Sequence, residues 1–306
     1  MRQIIITNND AGQRLDRFLQ KTFVTLKISL INKAIREKKI KVNDSRKEAA
    51  YRLLENDTVM LYLNDELLKT PEKDELWKLA TPDIDIIYED NNIILINKKQ
   101  GVAAHENSGE QINTLISKLK KYLSEKGEYN PDTENSFAPS LCNRIDRNTG
   151  GIVIAAKNAE SLRIINERIK NREVEKTYYC KVHGIPSKKE FTVKNYLFKD
   201  SKLNKVYASK TQKPGYKYAE TAFKVLSVSN TTATLECTLL TGRTHQIRVQ
   251  LAELALPILG DTKYGRKDNN KFYELYSAKV KFAFKTDTGI LDYLKNKEFS
   301  LGGTNK

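Results

Sequence analysis

The chain has 306 residues, of which 39% are hydrophobic and 30% are charged, and its formal net charge at pH 7 is +15. This length suggests two domains with enough apolar residues to bury a core. The excess of lysine and arginine favours a polyanionic partner, because basic side chains displace the counterions condensed on nucleic acid. A solvated lysine surface would give the same net charge and stays as the alternative interpretation.

The three cysteines, Cys142, Cys180 and Cys237, lie far apart in the sequence and show no spacing typical of a zinc site or a disulfide framework. Cys180 and Cys237 fall in predicted strands, where a buried thiol acts as a small hydrophobe. The apolar run near Met1 is too short for a signal peptide, and no segment approaches the ~20 apolar residues that cross a bilayer. We therefore expect a cytoplasmic protein without a membrane partner or a metal.

Residues 1–64 form the first predicted domain. Two groups of apolar residues at helical spacing predict two helices: Leu15, Phe18 and Leu19, then Ile31, Ala34 and Ile35. Ser29 is the expected N-cap of the second helix. Basic side chains lie away from that apolar stripe and on the strand that follows: Lys33, Arg36, Lys38 and Lys41. Residues 1–63 contain 13 Lys or Arg and 7 Asp or Glu, which gives this segment a net charge of +6.

The remainder of the chain is expected to form a linker over residues 65–82, a second domain over 83–298 and a tail over 299–306. Short apolar or alternating runs predict strands at 86–90, 93–98, 152–156, 175–184, 219–228 and 231–240. Asn158 is the expected cap of a helix that follows the apolar strand 152–156. Strands with one polar face and interspersed helices indicate an α+β fold with a mainly antiparallel sheet.

Two polar segments stand out, because neither resembles a core or an ordinary solvated loop. Residues 143–151 read Asn-Arg-Ile-Asp-Arg-Asn-Thr-Gly-Gly and place Asp146 between Arg144 and Arg147. Residues 241–248 read Thr-Gly-Arg-Thr-His-Gln-Ile-Arg and follow a predicted strand. Taken alone, an aspartate between two arginines is more often a structural ion pair, so the second segment is needed to favour a functional site.

Together these segments resemble the signature motifs of the RluA-type pseudouridine synthases, which isomerise uridine in RNA. The resemblance covers residues 84–285, including an opening segment at 88–98 and a "PIxGDxxYG"-like segment at 257–265. It implies that Asp146 is the catalytic aspartate, kept ionised by neighbouring arginines. This chain departs from the family pattern at Asn143, where histidine is usual, and at Ser277, which also replaces a histidine.

The resemblance also implies roles for three further residues. Tyr178 matches the tyrosine that stacks on the target base and is proposed to take its C5 proton, although Tyr179 is a rival register and core packing is the ordinary role of a strand tyrosine. Arg248 matches the arginine that pairs with the aspartate, through a planar fork that can bind a carboxylate bidentately. Arg243 is expected to contact phosphate. We assign no catalytic role to His245.

The amino-terminal segment resembles the S4 RNA-binding domain in residues 14–19, 35–40, 41–43 and 55–57. The expected fold is therefore α+β, with a small S4-like helical and hairpin module followed by a pseudouridine-synthase-like domain whose mainly antiparallel mixed sheet is flanked by helices. The expected RNA-binding residues share a positive charge: Arg144, Arg147, Arg243, Lys33, Arg36, Lys38 and Lys41.

Residues 199–217 hold six lysines and one acidic residue, with Tyr207 and Tyr216 among them. Aromatic rings among lysines can stack on bases. A solvated hairpin tip accounts for this composition equally well.

The sequence thus predicts a monomeric RNA pseudouridine synthase that needs no cofactor and acts on structured RNA, with large-subunit ribosomal RNA as the expected substrate. Transfer RNA remains open. So does the route of Asp146, which could attack the uracil ring at C6 or act at the sugar. The alternative is a non-catalytic RNA-binding or ribosome-assembly protein on the same scaffold.

Overall fold

The computed structural model describes residues 1–70, 75–106 and 111–302. The amino-terminal module packs two helices on a small antiparallel sheet, in the chain order β1 (Arg2–Ile5), α1 (Leu15–Thr22), α2 (Ile28–Arg36), β2 (Ile40–Val42) and β3 (Thr58–Leu61). The three strands take the order β1-β3-β2. The predicted apolar stripes of both helices are buried in one core with Phe23, Val42 and Leu53.

One detail of this module differs from the prediction. Helix α2 begins at Ile28 and has Lys27 at its N-cap position, without a side-chain capping hydrogen bond. Ser29 is therefore inside the helix, and its prediction as the N-cap was wrong. The chain takes its extended backbone at Lys27, where ψ is 148°, and a residue must have such a backbone to cap the helix.

The rest of the chain builds a large sheet with helices on its faces. Its elements are β4 (Ile86–Glu89), β5 (Ile93–Lys98), α3 (Leu115–Glu125), β6 (Ser140–Leu141), β7 (Gly150–Ala156), α4 (Ala159–Lys170), β8 (Val174–His183), β9 (Glu190–Asp200), β10 (Lys205–Ser209), β11 (Lys217–Ser229), β12 (Thr232–Leu239), α5 (Gln246–Glu253), β13 (Leu275–Phe282) and β14 (Glu298–Ser300).

Within the described ranges this sheet has 11 strands, in the order β10-β9-β11-β12-β8-β13-β7-β5-β4, with β14 beside β13 and β6 beside β7. The β13–β7 pair is parallel and the other pairs are antiparallel. The predicted α+β fold with a mainly antiparallel mixed sheet is therefore confirmed. Strand β7 is buried along its whole length, because alternate residues enter the cores on the two faces of the sheet.

Local sequence signals account for several of these elements. The Asn158 side chain caps α4 by accepting a hydrogen bond from the Ser161 backbone nitrogen at 2.8 Å, as predicted. In β12, Ala233, Leu235 and Cys237 are buried while the alternate residues stay partly exposed. Cys180 and Cys237 are buried free thiols, which agrees with their prediction as apolar core residues.

The segment predicted as a linker is docked at both of its described ends. Leu68, in a 3-10 turn over Asp65–Leu68, is buried against the core of the module. Trp77, in a second turn over Leu76–Leu79, is buried in the main core, with its ring centroid 5.7 Å from that of Tyr129. Of the predicted tail, Phe299 is buried in the sheet at β14, and residues 303–306 lie outside the described ranges.

A polar seam joins the module to the main sheet domain. The Asp10 carboxylate, which is fully buried, accepts hydrogen bonds from Asn135 at 2.7 Å and Ser136 at 2.6 Å. Asn9 donates to Glu134 at 2.7 Å and accepts from the Ala159 backbone nitrogen at the start of α4. Because hydrogen bonds are directional, these contacts set the orientation of the module as well as its position.

Candidate active site

Asp146 lies in a tight turn between β6 and β7. The turn is closed by a hydrogen bond from the Thr149 backbone nitrogen to the Asp146 carbonyl oxygen at 3.0 Å. Gly151 then enters β7 at φ +105°, where an added Cβ would lie 2.2 Å from the Ser277 carbonyl oxygen. A glycine is therefore required for the turn to pass so close to β13. The Asp146 side chain remains 28% exposed.

Arg248 binds Asp146 but points its fork at another carboxylate. From the first turn of α5, its Nε and Nη2 donate to Asp261 at 2.7 and 2.8 Å. Its Nη1 donates to Asp146 Oδ2 at 3.2 Å. The predicted pairing with Asp146 is present, but the bidentate contact predicted for it belongs to Asp261, which is 1% exposed. Burial alone would lower the pKa of Arg248, and the two carboxylates raise it above its ordinary value.

Tyr273 is a third group at the same carboxylate oxygen. Its hydroxyl lies 3.5 Å from Asp146 Oδ2 and 3.1 Å from Thr149 Oγ1. The Arg248 guanidinium carbon lies 4.2 Å from the centroid of the Tyr273 ring, which is within the range of a cation–π contact. Burial and the charge of Asp146 raise the pKa of Tyr273, so its phenol keeps its proton and can donate to Asp146.

His245 faces Asp146 with its Nε2 3.7 Å from Oδ2. Burial lowers the pKa of His245 to about 4, so the imidazole is neutral near pH 7. Its other nitrogen, Nδ1, lies 2.6 Å from the Tyr264 hydroxyl. That hydroxyl accepts a hydrogen bond from the Val206 backbone nitrogen at 2.9 Å, so its own proton is free to be donated to Nδ1. In the tautomer in which Tyr264 donates to Nδ1, the ring proton is on Nε2, which faces Asp146.

Lys98 holds the turn that carries Asp146, through hydrogen bonds from its side chain to backbone carbonyl oxygens. Its side chain is 1% exposed, and its ammonium group donates to the carbonyl oxygens of Val102 and Arg147, each at 2.8 Å, and of Lys99 at 3.2 Å. Burial lowers the pKa of Lys98 to about 8, although the charge of Asp146 opposes that fall. Three donors on one ammonium match three carbonyl oxygens, one of which belongs to the residue after Asp146.

Tyr178 lies on the core face of β8 and is 7% exposed, whereas Tyr179 lies on the opposite face. The Lys279 ammonium group is 5.8 Å from the Tyr179 ring. This alternation agrees with the predicted inward register of Tyr178. Burial and the nearby charge of Asp146 raise the pKa of Tyr178 to about 12. Among the described residues, no hydrogen bond links Tyr178 directly to Asp146.

The predicted RNA-binding cations divide into two groups. Arg144, Arg147 and Arg243 are exposed in the two polar segments that carry Asp146 and Arg248, where Arg147 donates to the Gly101 carbonyl oxygen and Arg243 to that of Tyr218. The second group lies on the module and is not in contact with Asp146: Lys33, Arg36 and Lys38 are exposed, and Lys41 is half-buried with its ammonium 5.5 Å from the Tyr62 ring.

Four residues of the site were not singled out from the sequence: Lys98, Asp261, Tyr264 and Tyr273. The signal for Asp261 and Tyr264 was present, since both lie in the predicted 257–265 motif segment. Lys98 also lies in a motif segment, at 88–98, but as the last residue of a predicted strand it is at a place where a lysine is ordinarily solvated. Tyr273 lies in a segment with no recognised motif.

Two negative findings apply to the described residues. They contain no group of three or more His, Cys, Asp or Glu side chains that could hold a metal ion. None of their helices has the length and apolar character needed to cross a membrane.

The chain is similar to known proteins over most of its length. A profile of the family described as RNA pseudouridylate synthase matches residues 92–253. A Mycoplasma capricolum protein named "Uncharacterized RNA pseudouridine synthase" is 36% identical over 300 residues, which cover 97% of this chain and 96% of that protein. A Rickettsia conorii protein named "Ribosomal large subunit pseudouridine synthase C" is 36% identical over 276 residues, covering 87% of this chain and 86% of the other.

The solved structure of "Human RNA Pseudouridylate Synthase Domain Containing 4" superimposes with a TM-score of 0.56 at 20% identity, over 71% of this chain and 87% of the human one. That likeness shows a shared fold. With the family profile and the relatives above, it leads to one conclusion. The chain belongs to the family of RNA pseudouridine synthases, which are isomerases.

Proposed function

We propose that this chain isomerises specific uridines in large-subunit ribosomal RNA, with Asp146 as the nucleophile. The observation that carries the proposal is that the two carboxylate oxygens of Asp146 have different hydrogen-bond partners. Oδ2 is engaged by Arg248 and Tyr273, while no hydrogen bond from the described residues reaches Oδ1. One oxygen therefore fixes the direction of the carboxylate, and the other is available to attack.

The reaction breaks the C1′–N1 bond of uridine, turns the base and forms a C1′–C5 bond, so that C5 loses a proton and N1 gains one. Asp146 would form a transient bond either to C6 of the uracil ring or at the sugar, and the proposal covers both routes. Arg248 would keep Asp146 ionised and oriented. His245, neutral and with its proton on Nε2, would support the same oxygen as a positioning residue.

Tyr178 is proposed to stack on the target base and to take the C5 proton. A phenol with a pKa of about 12 is neutral near pH 7, so it accepts the C5 proton only when its own proton leaves in the same step. That proton would pass through solvent to N1 of the base, which gains the proton that C5 loses. Stacking requires no such transfer. Substitution by phenylalanine separates these two contributions, because it keeps the ring and removes the hydroxyl.

The RNA would be held by the exposed arginines near the site and by the basic face of an S4-like amino-terminal module. Support for ribosomal RNA comes from the relatives, since the Rickettsia conorii protein is named for the large subunit. A ribosomal substrate would place the protein in the cytoplasm. We propose that the protein acts as a monomer.

The proposal is tested with Asp146→Asn. Removing the nucleophile should abolish isomerisation and leave RNA affinity within about tenfold, because the asparagine side chain keeps the shape of the aspartate. The measurement is tritium release from 5-tritiated uridine in transcribed large-subunit RNA. Asp83→Asn, at an aspartate whose side chain is 71% exposed, is the matched control and should retain full activity.

Near wild-type tritium release by Asp146→Asn would refute the proposed nucleophile. Tight binding of ribosomal RNA by the wild-type protein, without tritium release from any RNA tested, would instead favour the non-catalytic alternative. Tritium release from transfer RNA alone would support the proposed chemistry and show that transfer RNA, not ribosomal RNA, is the substrate.

A further inference from the structure

Five aromatic side chains lie together on one face of the sheet, and the proposed reaction uses none of them. Tyr207 of β10 is directly opposite Phe198 of β9, and Tyr196 of β9 is directly opposite Tyr218 of β11. Residues in direct register point to the same face, as do residues two apart on one strand. Tyr216, just before β11, stacks on Phe198 with ring centroids 5.3 Å apart. We call these five residues the aromatic face.

The rings are accessible. Phe198, Tyr207 and Tyr218 are each 37–38% exposed. The opposite side of the same strands is covered, since Leu197, Val206 and Ala219 are buried in a small core with Val249 of α5. The core of these strands is therefore on their other side, and the rings of the aromatic face are not part of it.

Positive charge borders the rings. Lys205 and Lys213 place their ammonium groups 5.7 and 5.9 Å from the ring centroids of Tyr207 and Tyr216. The single acidic residue of segment 199–217, Asp200, accepts hydrogen bonds from two backbone nitrogens of its own turn. A second carboxylate, Glu220, is paired with Lys194 at 3.3 Å. The net electrostatic character suits a polyanion that also carries flat apolar groups.

The aromatic face lies on the side of the sheet opposite α5, and backbone contacts at the edge of these strands connect it to residues near the candidate active site. Arg243 donates from Nε to the Tyr218 carbonyl oxygen at 2.9 Å, and the Val206 backbone nitrogen donates to Tyr264, which holds His245. Arg243 is exposed at this edge, so an RNA strand whose target uridine is at Asp146 would turn around the edge at Arg243 to reach the rings on β11 and β9.

We propose that the aromatic face binds an unpaired segment of RNA next to the target uridine, by stacking of bases on its rings and contact of phosphates with its lysines. The inference rests on the proposed function for the identity of the RNA. Stacking has no strict sequence requirement, because every base offers a π-face. The face would therefore select substrates whose target lies beside single-stranded RNA.

The test uses the full-length protein and an oligouridine of about ten nucleotides, a length within the range of single-strand sites, with one 2-aminopurine that loses fluorescence when it stacks. Tyr207→Ala and Phe198→Ala should each weaken binding by about fivefold or more, since one lost stacking contact has at least that effect. Tyr207→Phe keeps the ring and should bind within about twofold of wild type. Leu226→Ala, at a 47% exposed position near the other end of β11, is the control and should change nothing.

Three results would overturn the inference. The first is binding within about twofold for both alanine variants. The second is equal loss for Tyr207→Phe and Tyr207→Ala, which would assign the effect to the hydroxyl. The third is a dimer of the free protein that Tyr207→Ala dissociates, which would make the face a contact between copies.

Catalysis is followed separately, by tritium release from a stem-loop that carries the target uridine without a single-stranded extension. Leu226→Ala should match wild type on that substrate at saturating RNA. If both alanine variants bind the oligouridine as wild type does and isomerisation is normal, only the proposed role of the aromatic face is refuted. Ring-dependent binding without any isomerisation by the wild type would refute only the proposed function.

Discussion

The contact between Arg248 and Asp261 makes a quantitative prediction that separates stability from chemistry. Both side chains are nearly inaccessible, at 7% and 1% exposure. Arg248→Ala leaves the Asp261 charge buried, with the backbone nitrogens of Lys263 and Tyr264 as its remaining partners among the described residues. Breaking a buried ion pair in this way costs about 3–5 kcal/mol. For a domain of this size, that cost corresponds to a fall in Tm of roughly 6–20 °C.

A double variant removes the unpaired buried charge of Asp261. Arg248→Met with Asp261→Asn replaces the ion pair by neutral groups of similar size, and such replacements are often close to neutral for stability. We therefore expect the double variant to recover most of the lost Tm. Its turnover should stay at least about 100-fold below wild type, as for loss of a preorganised donor, because Asp146 still lacks its cation.

The assays are thermal unfolding by circular dichroism and single-turnover tritium release. Arg243→Ala is the matched control, since Arg243 is exposed and its Nε donates to a backbone carbonyl oxygen. It should leave Tm unchanged and alter RNA affinity more than turnover. A Tm loss below about 2 °C in Arg248→Ala would refute the energetic argument. Full turnover in the double variant would refute the assignment of Arg248 to Asp146.

Three further predictions concern the neighbours of Asp146. Tyr178→Phe should bind RNA normally and lose turnover, whereas Tyr179→Phe should have little effect; equal activity of the two in single-turnover assays would contradict the proton-transfer role. The pKa of Lys98 is about 8 in the folded protein against an ordinary 10.5, so the unfolded chain binds this proton more tightly and stability should rise from pH 8 to 10.5. Lys98→Met should abolish that rise in Tm, and an unchanged Tm–pH profile would show that another group titrates. Tyr264→Phe removes the donor to His245 Nδ1 and should lower kcat by about tenfold, within the range of one neutral hydrogen bond, with KM unchanged; a change in KM alone would assign Tyr264 to RNA binding.

The sequence predicts those features that depend on local patterns. The alternation of residues 232–239 identifies a half-buried strand, and Asn158 three residues before Ser161 identifies a helix cap. Motif resemblance leads to the contact between Asp146 and Arg248, which are 102 positions apart. The contact of Tyr273 with Asp146 spans 127 positions and has no periodic signal, so it emerges only when β13 is laid beside β7.

The sequence also does not show how one arginine divides its hydrogen bonds between two carboxylates. Arg248 was expected to give its fork to Asp146, but Asp261 lies only 13 residues away along the chain and is more deeply buried. A carboxylate removed from water gains more from two charge-assisted hydrogen bonds than a partly solvated one does. Asp261 therefore binds Nε and Nη2 of Arg248, and the partly exposed Asp146 binds the remaining nitrogen, Nη1.

The groups around Asp146 can be ranked by the loss of turnover expected when each is removed. Oδ2 meets a cation at 3.2 Å, a phenol at 3.5 Å and a neutral imidazole at 3.7 Å. Each group is held by a different partner, since Arg248 is fixed by Asp261, Tyr273 by Thr149 and His245 by Tyr264. Arg248 and Tyr273 also contact each other, and the cation stabilises an ionised carboxylate most strongly. Turnover should consequently fall most on removal of the Arg248 guanidinium, less on Tyr273→Phe and least on Tyr264→Phe, and an inverted order would mean that the carboxylate is oriented by hydrogen bonds rather than by charge.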